Sequence, residues 1–190
     1  MKHLVVLLEE PSARDLLEGL LPRLLPDTIH VQFLVFEGKQ DLEGQLVRKL
    51  RGWRVPDSAF VVVRDQDAAE CKVVKERLTK LVVESGRTPV VVRVACRELE
   101  SRVVGDWAAI AKAFERPDLA EQGTKSAHRD PDQLVRPVEA IRKLIPEYQK
   151  RDGARRVGKL LDPARNHSVS FRNFCKGLQK LTSAATRPLD

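Results

Sequence analysis

Residues 59–71, AFVVVRDQDAAEC, constrain this chain most. Three consecutive valines behind Phe60 favour a buried strand. The run then gives way to Arg64-Asp65-Gln66-Asp67, two acids one residue apart. On an extended backbone, side chains at i and i+2 point to the same side. Asp65 and Asp67 would therefore aim two carboxylates at one point just past a strand end. Open parallel sheets place ligand sites at that edge, and two hard oxygen donors converging there suit a divalent cation such as magnesium. The same acids would equally end a strand and begin a helix, where Asp is favoured. Both readings stand on this stretch alone.

The flanking sequence supplies the rest of a sheet. HLVVLL at residues 3–8 reads as a continuous apolar strand, ended by Glu9-Glu10-Pro11. Ser12, with Asp15 three residues on, reads as a helix N-cap. The helix is expected over 13–25, with Leu16, Leu17, Leu20, Leu21 and Leu24 on one face. A second strand is expected over 28–36. Asp41 then caps a helix over 42–53. After the Asp65/Asp67 strand, Cys71, Val74, Leu78, Leu81 and Val82 make the stripe of an amphipathic helix over 68–84. A fourth strand is expected over 88–96. Strands alternating with helices predict an α/β unit with a four-stranded, largely parallel sheet.

Beyond residue 96 the alternation stops. Residues 97–104 and 106–114 read as helices, with Asp106 as the second one's N-cap. Residues 115–131 read as a loop or linker, and 131–150, 153–161 and 171–181 as three more helices. Ser168 or Ser170 caps the last, with Phe171 and Phe174 packing it down. The final eight or nine residues read as frayed. The division expected is an α/β domain over 1–115 and a basic helical C-terminal extension over 116–190.

Charge follows the same division. Residues 1–124 hold 19 basic and 20 acidic side chains, whereas residues 125–190 hold 15 and 7. The whole positive excess lies in the last third, which points to a polyanion such as nucleic acid as its partner. Within it, Lys150, Arg151, Arg155, Arg156 and Lys159 form the densest basic cluster, and Arg155 and Lys159 share one helical face. A solvated basic surface is the plainer reading. Trp53 and Trp107 read as packing residues rather than base-stacking platforms, since aromatic content is only 5%.

Other classes are disfavoured. Cys71, Cys96 and Cys175 are widely spaced, with no CxxC pair, which argues against a zinc ribbon or disulfide framework and fits a reducing cytosol. The four His have no metal-ligand spacing. The N-terminal apolar run is too short and too soon acidic for a signal peptide, and no stretch is long enough to cross a membrane. A cytoplasmic protein is expected.

In a parallel sheet Glu9 follows the first strand at the edge where Asp65 follows the third. One Glu and an Asp-x-Asp pair would then share a cleft. Three close carboxylates repel unless cations neutralise them. Magnesium, which keeps several waters and bridges to phosphate oxygens, would do so. A metal pair can activate a water and stabilise the leaving oxygen in phosphodiester cleavage.

This arrangement, a Glu ending the first strand and an Asp-x-Asp after a later one, resembles the Toprim domain. That domain occurs in type IA and II topoisomerases, bacterial primases, small RNA-maturation nucleases and nucleases of the overcoming-lysogenization-defect type. The segments LLEEPSARDLLEGLLPRLLP, FEGKQDL, VVVRDQDAAEC, VACRELESRVVGDWAAIAKAF and SVSFRNF look, more specifically, like a family of small bacterial Toprim-like proteins of unassigned function, often encoded beside an ATPase in defence-type gene pairs. The resemblance implies a Toprim-like Rossmannoid fold, with Glu9 as acid/base or ligand and Asp65 and Asp67 binding Mg²⁺ or Mn²⁺. It further implies an ATPase as partner. Three positions depart from the pattern. Glu10 stands where a Gly usually follows the glutamate, and could take over Glu9's role. Ala13 stands where nuclease relatives often have an acid. Arg102 stands where the small relatives commonly have an aromatic.

Other residues join the expected site by position. Glu98 follows strand four and is either a further ligand or a solvent acid of a helix's first turn. Lys39 follows strand two and Arg64 sits beside the aspartates; either could meet phosphate. The function expected is a Mg²⁺-dependent nuclease or related phosphodiester-processing enzyme, acting in a bacterial defence system. The alternatives are a non-catalytic module that docks on an ATPase or nucleic acid through Arg155, Arg156 and Lys159, and a phosphotransfer or small-nucleotide enzyme.

Overall fold

The computed structural model describes residues 1–184. Its centre is built from the apolar runs read above: β1 (His3–Leu8), β3 (Ser58–Asp65) and β4 (Val90–Ala95), joined by β2 (His30–Val35). The four strands form one all-parallel sheet in the order β2-β1-β3-β4. Parallel sheets are covered on both faces. β1 accordingly buries Leu4 to Leu8 completely, whereas β2, at the edge, is exposed or half-buried at every position.

Side-chain alternation divides the core in two. Leu4, Val6, Leu8, Ala59, Val61 and Val63 face one layer of helices; Val5, Leu7, Phe60, Val62, Val92 and Val94 face the other. The second layer is α2 (Lys39–Gly52) and α3 (Cys71–Ser85), which contribute Leu42, Leu46, Leu50, Val74 and Leu78. The first is α1 (Pro11–Leu20) together with the helices after β4: α4 (Glu100–Val104), α5 (Trp107–Ala113), α6 (Pro137–Arg142), α7 (Lys150–Gly158) and α8 (Val169–Ala184). Residues from Leu4 through Leu181 share that one hydrophobic cluster, so the basic last third joins α1, α4 and α5 in the core on one face of the sheet. The result is a three-layer α/β fold of Rossmannoid type.

The α1–α7 contact sets the geometry of this layer. A Cβ on Gly158 would lie 2.3 Å from the Leu16 carbonyl oxygen, and one on Gly19 would lie 2.8 Å from the Lys159 nitrogen. Only residues without a side chain allow backbones this close. Beside the crossing, the buried Asp15 carboxylate accepts from Arg151 Nε at 2.6 Å and from Arg155 Nη2 at 3.4 Å. Those arginines hold the Asp15 carboxyl below its usual range against the opposing effect of burial.

Several local expectations change. Ser12 does not cap α1: the helix begins at Pro11, a favoured first position, and the Ser12 hydroxyl donates to the Glu10 side chain instead. Asp41 lies inside α2 and reaches back to the Glu37 N–H, while Gly38 at φ +96° starts the helix. Residues 115–131 are no bare linker but short 3₁₀ turns, with Leu119 and Gln122 buried. The single helix expected over 131–150 is broken, since Pro137 opens α6 and α7 starts only at Lys150. Asp106 and Ser168 do cap: Ala109 N–H donates to Asp106 and Phe171 N–H to Ser168. Of the segment expected to fray, residues 185–190 lie outside the described residues.

Candidate functional site

The sheet order fixes where a ligand site belongs. The chain leaves β1 toward β2 and leaves β3 toward β4, so the connections diverge above the β1/β3 pair. In open α/β sheets that switch point leaves a crevice beyond the carboxyl ends of the strands. The β1–β3 register pairs Leu8 with Val63 and so sets Glu9 level with Arg64. Glu9, Glu10, Asp65, Asp67 and Glu98 all line one cleft of about 680 Å³ at this edge. Five of the acids expected from sequence are thus gathered from three loops.

Their geometry differs from the simple alternation. Asp65 is the last residue of β3, and its backbone N–H donates to Glu9 Oε2 at 3.0 Å. Its carboxylate, 8% exposed, accepts the Leu99 N–H at 3.0 Å on the α4 side. Asp67, in contrast, has φ +56°. The extended backbone that would align i with i+2 ends at Asp65, and Asp67 turns toward α2. There its Oδ2 lies 2.9 Å from Lys39 Nζ and 3.9 Å from Arg64 Nη2. The expectation that both aspartates converge from one strand face is therefore corrected: each is held by different partners, although both line the cleft.

Arg64 is a buried hub. Besides Asp67 it lies 3.9 Å from Glu9 Oε2 and 3.4 Å from Glu43 Oε1, with its side chain 5% exposed. Across the cleft, Lys150 at the start of α7 lies 3.4 Å from Glu98 Oε2 and 3.5 Å from Glu100 Oε2. Glu100, 1% exposed, accepts no hydrogen bond at either carboxylate oxygen.

The electrostatics follow from burial and crowding. Burial raises the Asp65 carboxyl well above its ordinary value, and Glu10, Glu100 and Glu9 push it further. Burial also raises Glu9, with Asp67 and Glu10 adding to the rise against the Asp65 N–H and Arg64. Glu100 is pushed up to about 7, by burial first and then by Glu10 and Glu98, against the pull of Lys150. Below this floor the fully buried Arg102 guanidinium has no hydrogen-bond partner and sits 5.1 Å over the Phe174 ring. Burial lowers its pKa, while Asp65 acts in the other direction.

The donor set fits a hard divalent cation. Its donors are carboxylate oxygens only, and the crowded acids, Asp65 above all, are destabilised by one another. No three His, Cys, Asp or Glu side chains among the described residues stand together as a ready cage. The protein's own cations, Lys39, Arg64 and Lys150, hold the acids apart in pairs. Magnesium needs few protein ligands and completes its shell with water and phosphate, so a partial cage suits it better than calcium.

The basic residues are sorted differently from the sequence reading. Lys39 and Arg64 are near the acids, as expected. Arg155 pairs with Asp15 on α1, Arg156 pairs with Asp152 at 2.8 Å, and neither they nor Lys159 line the cleft. The cations that do line it are Arg97, Arg136, Arg142 and Lys150. Only Lys150 belongs to the cluster that stands out in the sequence, and its place opposite Glu98 depends on a helix contact with no local sequence signal.

A family model described as Domain of unknown function (DUF4276) matches residues 8–179. No curated protein and no solved structure matches the chain.

Proposed function

The chain belongs to the DUF4276 family, and on that premise we propose that it is a Mg²⁺-dependent nuclease or related phosphodiester-processing enzyme acting on nucleic acid. One observation carries the reading. At the switch-point crevice, Asp65 is buried among Glu9, Glu10 and Glu100, all of one sign, with a single backbone N–H as its hydrogen-bond partner. Such a floor is stabilised by a divalent cation, and phosphate oxygens are the usual further ligands of magnesium.

In this reading Glu9 and Asp65 hold the cation, with Glu10 beside them. A cation so bound would polarise a phosphoryl oxygen and ease ionisation of a water. Glu9, or Glu10 in its place, would accept the proton of the attacking water. Asp67 would be an outer ligand, reached once Lys39 turns to the substrate, while Glu98 stays paired with Lys150 across the cleft. Lys39, Arg136 and Arg142 would supply the positive charge that meets phosphate, while buried Arg64 holds Glu9 and Asp67 from beneath. Arg155, Arg156 and Lys159 serve a longer polyanion outside the cleft. An ATPase partner and a role in bacterial defence follow from the Toprim-like resemblance and complete the proposal.

The test is cleavage of DNA and RNA in Mg²⁺ or Mn²⁺, comparing the wild type with Asp65→Ala/Asp67→Ala. A loss of at least a hundredfold is expected. Metal-dependent cleavage that survives the double substitution would refute the assignment.

A further inference from the structure

The mixture of signs in the cleft has a particular arrangement. Glu9, Glu10 and Asp65, on the β1 and β3 side, have no lysine within ion-pair distance; Glu9 has Arg64 at 3.9 Å, and Lys150 acts on Glu10 and Asp65 only from farther off. Those on the α4 side, Glu98 and Glu100, share one ammonium, Lys150, at 3.4 and 3.5 Å. Both oxygens of Glu100 are buried and accept no hydrogen bond, and Lys150 is the cation beside them. Lys150 is well placed to stay. It is the first residue of α7, and the next residue, Arg151, is tied to Asp15 on α1. The Gly158 and Gly19 crossing fixes the same helix two turns on. The C-terminal extension thereby delivers one positive charge to one side of the site.

We propose that Lys150 is a built-in cation of this site, occupying the Glu98/Glu100 side where a second divalent ion would otherwise bind. The centre then takes one divalent ion, on Glu9, Glu10 and Asp65, in place of the metal pair that phosphodiester chemistry can use. Lys150 acts here as a positioning residue: it keeps Glu98 and Glu100 from the metal and confines the ion to the β1/β3 side. The inference rests on the magnesium reading of the same cleft.

Manganese binding to the full chain tests it without any activity assay. Isothermal titration and the loss of the free Mn²⁺ resonance count the ions. The wild type is expected to bind one, Lys150→Arg one, and Lys150→Met two, with Mn²⁺ raising the melting temperature of Lys150→Met more than that of the wild type. Should Lys150→Met not fold, Lys150→Gln, which also removes the charge, answers the same question and is expected to bind two. Glu98→Gln/Glu100→Gln, which removes the lysine's partners, is expected to keep the single ion. Two ions on the wild type, one on a folded Lys150→Met, or loss of the ion in Glu98→Gln/Glu100→Gln each overturns the proposal alone. No ion on the wild type, or an ion that survives Glu9→Gln/Asp65→Asn, overturns it together with the magnesium reading.

Discussion

Replacing Gly158 by alanine should destabilise the protein, although alanine is the better helix former. Gly158 ends α7 where it crosses α1, and a methyl there would meet the Leu16 carbonyl oxygen at 2.3 Å. That is about 1 Å short of ordinary contact, and the obstacle is backbone, which no rotamer change relieves. Overpacking of a tight contact costs about 1–3 kcal/mol. Alanine's helix propensity returns at most about 1 kcal/mol, and less at a helix end. The net loss expected is about 1–2 kcal/mol. Gly44 in the middle of α2 is the control, because nothing lies within 4 Å of the methyl it would gain. Gly44→Ala should stabilise by about 0.5–1 kcal/mol. Urea unfolding of both variants, read as midpoints at constant slope, gives the comparison. Equal signs for the two substitutions would refute the claim that backbone proximity fixes α7 on α1.

The metal-free protein should lose stability as pH rises from 5 to 8. Glu9, Asp65 and Glu100 have carboxyls raised above their unfolded values, so their contribution is complete at acid pH and is lost as they ionise, for Glu100 through about 7. Asp15, whose carboxyl is lowered, contributes fully throughout that window. Melting temperatures across the range should therefore fall, less so in Glu100→Gln, and a rise would contradict the assigned shifts. Arg102→Met replaces a buried guanidinium without hydrogen bonds by an apolar side chain of similar reach. It should leave stability unchanged or raise it by about 1 kcal/mol; a loss above about 2 kcal/mol in urea midpoints would show that its charge is compensated by Asp65 or Asp132.

The layers of the fold were legible because they rest on periodicity. Apolar runs at 3–8 and 60–63 could only be interior strands, and the leucines of α1 and α2 recur at helical spacing. The cleft was half legible: acids following strand ends must collect at one edge of a parallel sheet, and Glu9, Asp65 and Glu98 do. What escaped were features set by single dihedrals or by distant contacts. Asp67 leaves the extended conformation at one residue, which no alternation rule registers. Pro137 divides a segment whose composition still reads as helical. Lys150 meets Glu98 only because α7 lies on α1, and the residues responsible, Asp15 and Arg151, are 136 positions apart.

The same helix contact bears on how the protein can be dissected. Helices α6–α8 share one hydrophobic cluster with Leu4, Val6 and Leu8, with α7 against α1 and α8 against β4. A chain stopped at residue 115 would expose the part of that cluster now covered by Ile141, Val157, Phe171 and Phe174. Its failure to bind nucleic acid would then report aggregation, not the loss of a basic surface. Point substitutions of exposed arginines, in the full-length chain, are the informative way to ask what the last third contributes.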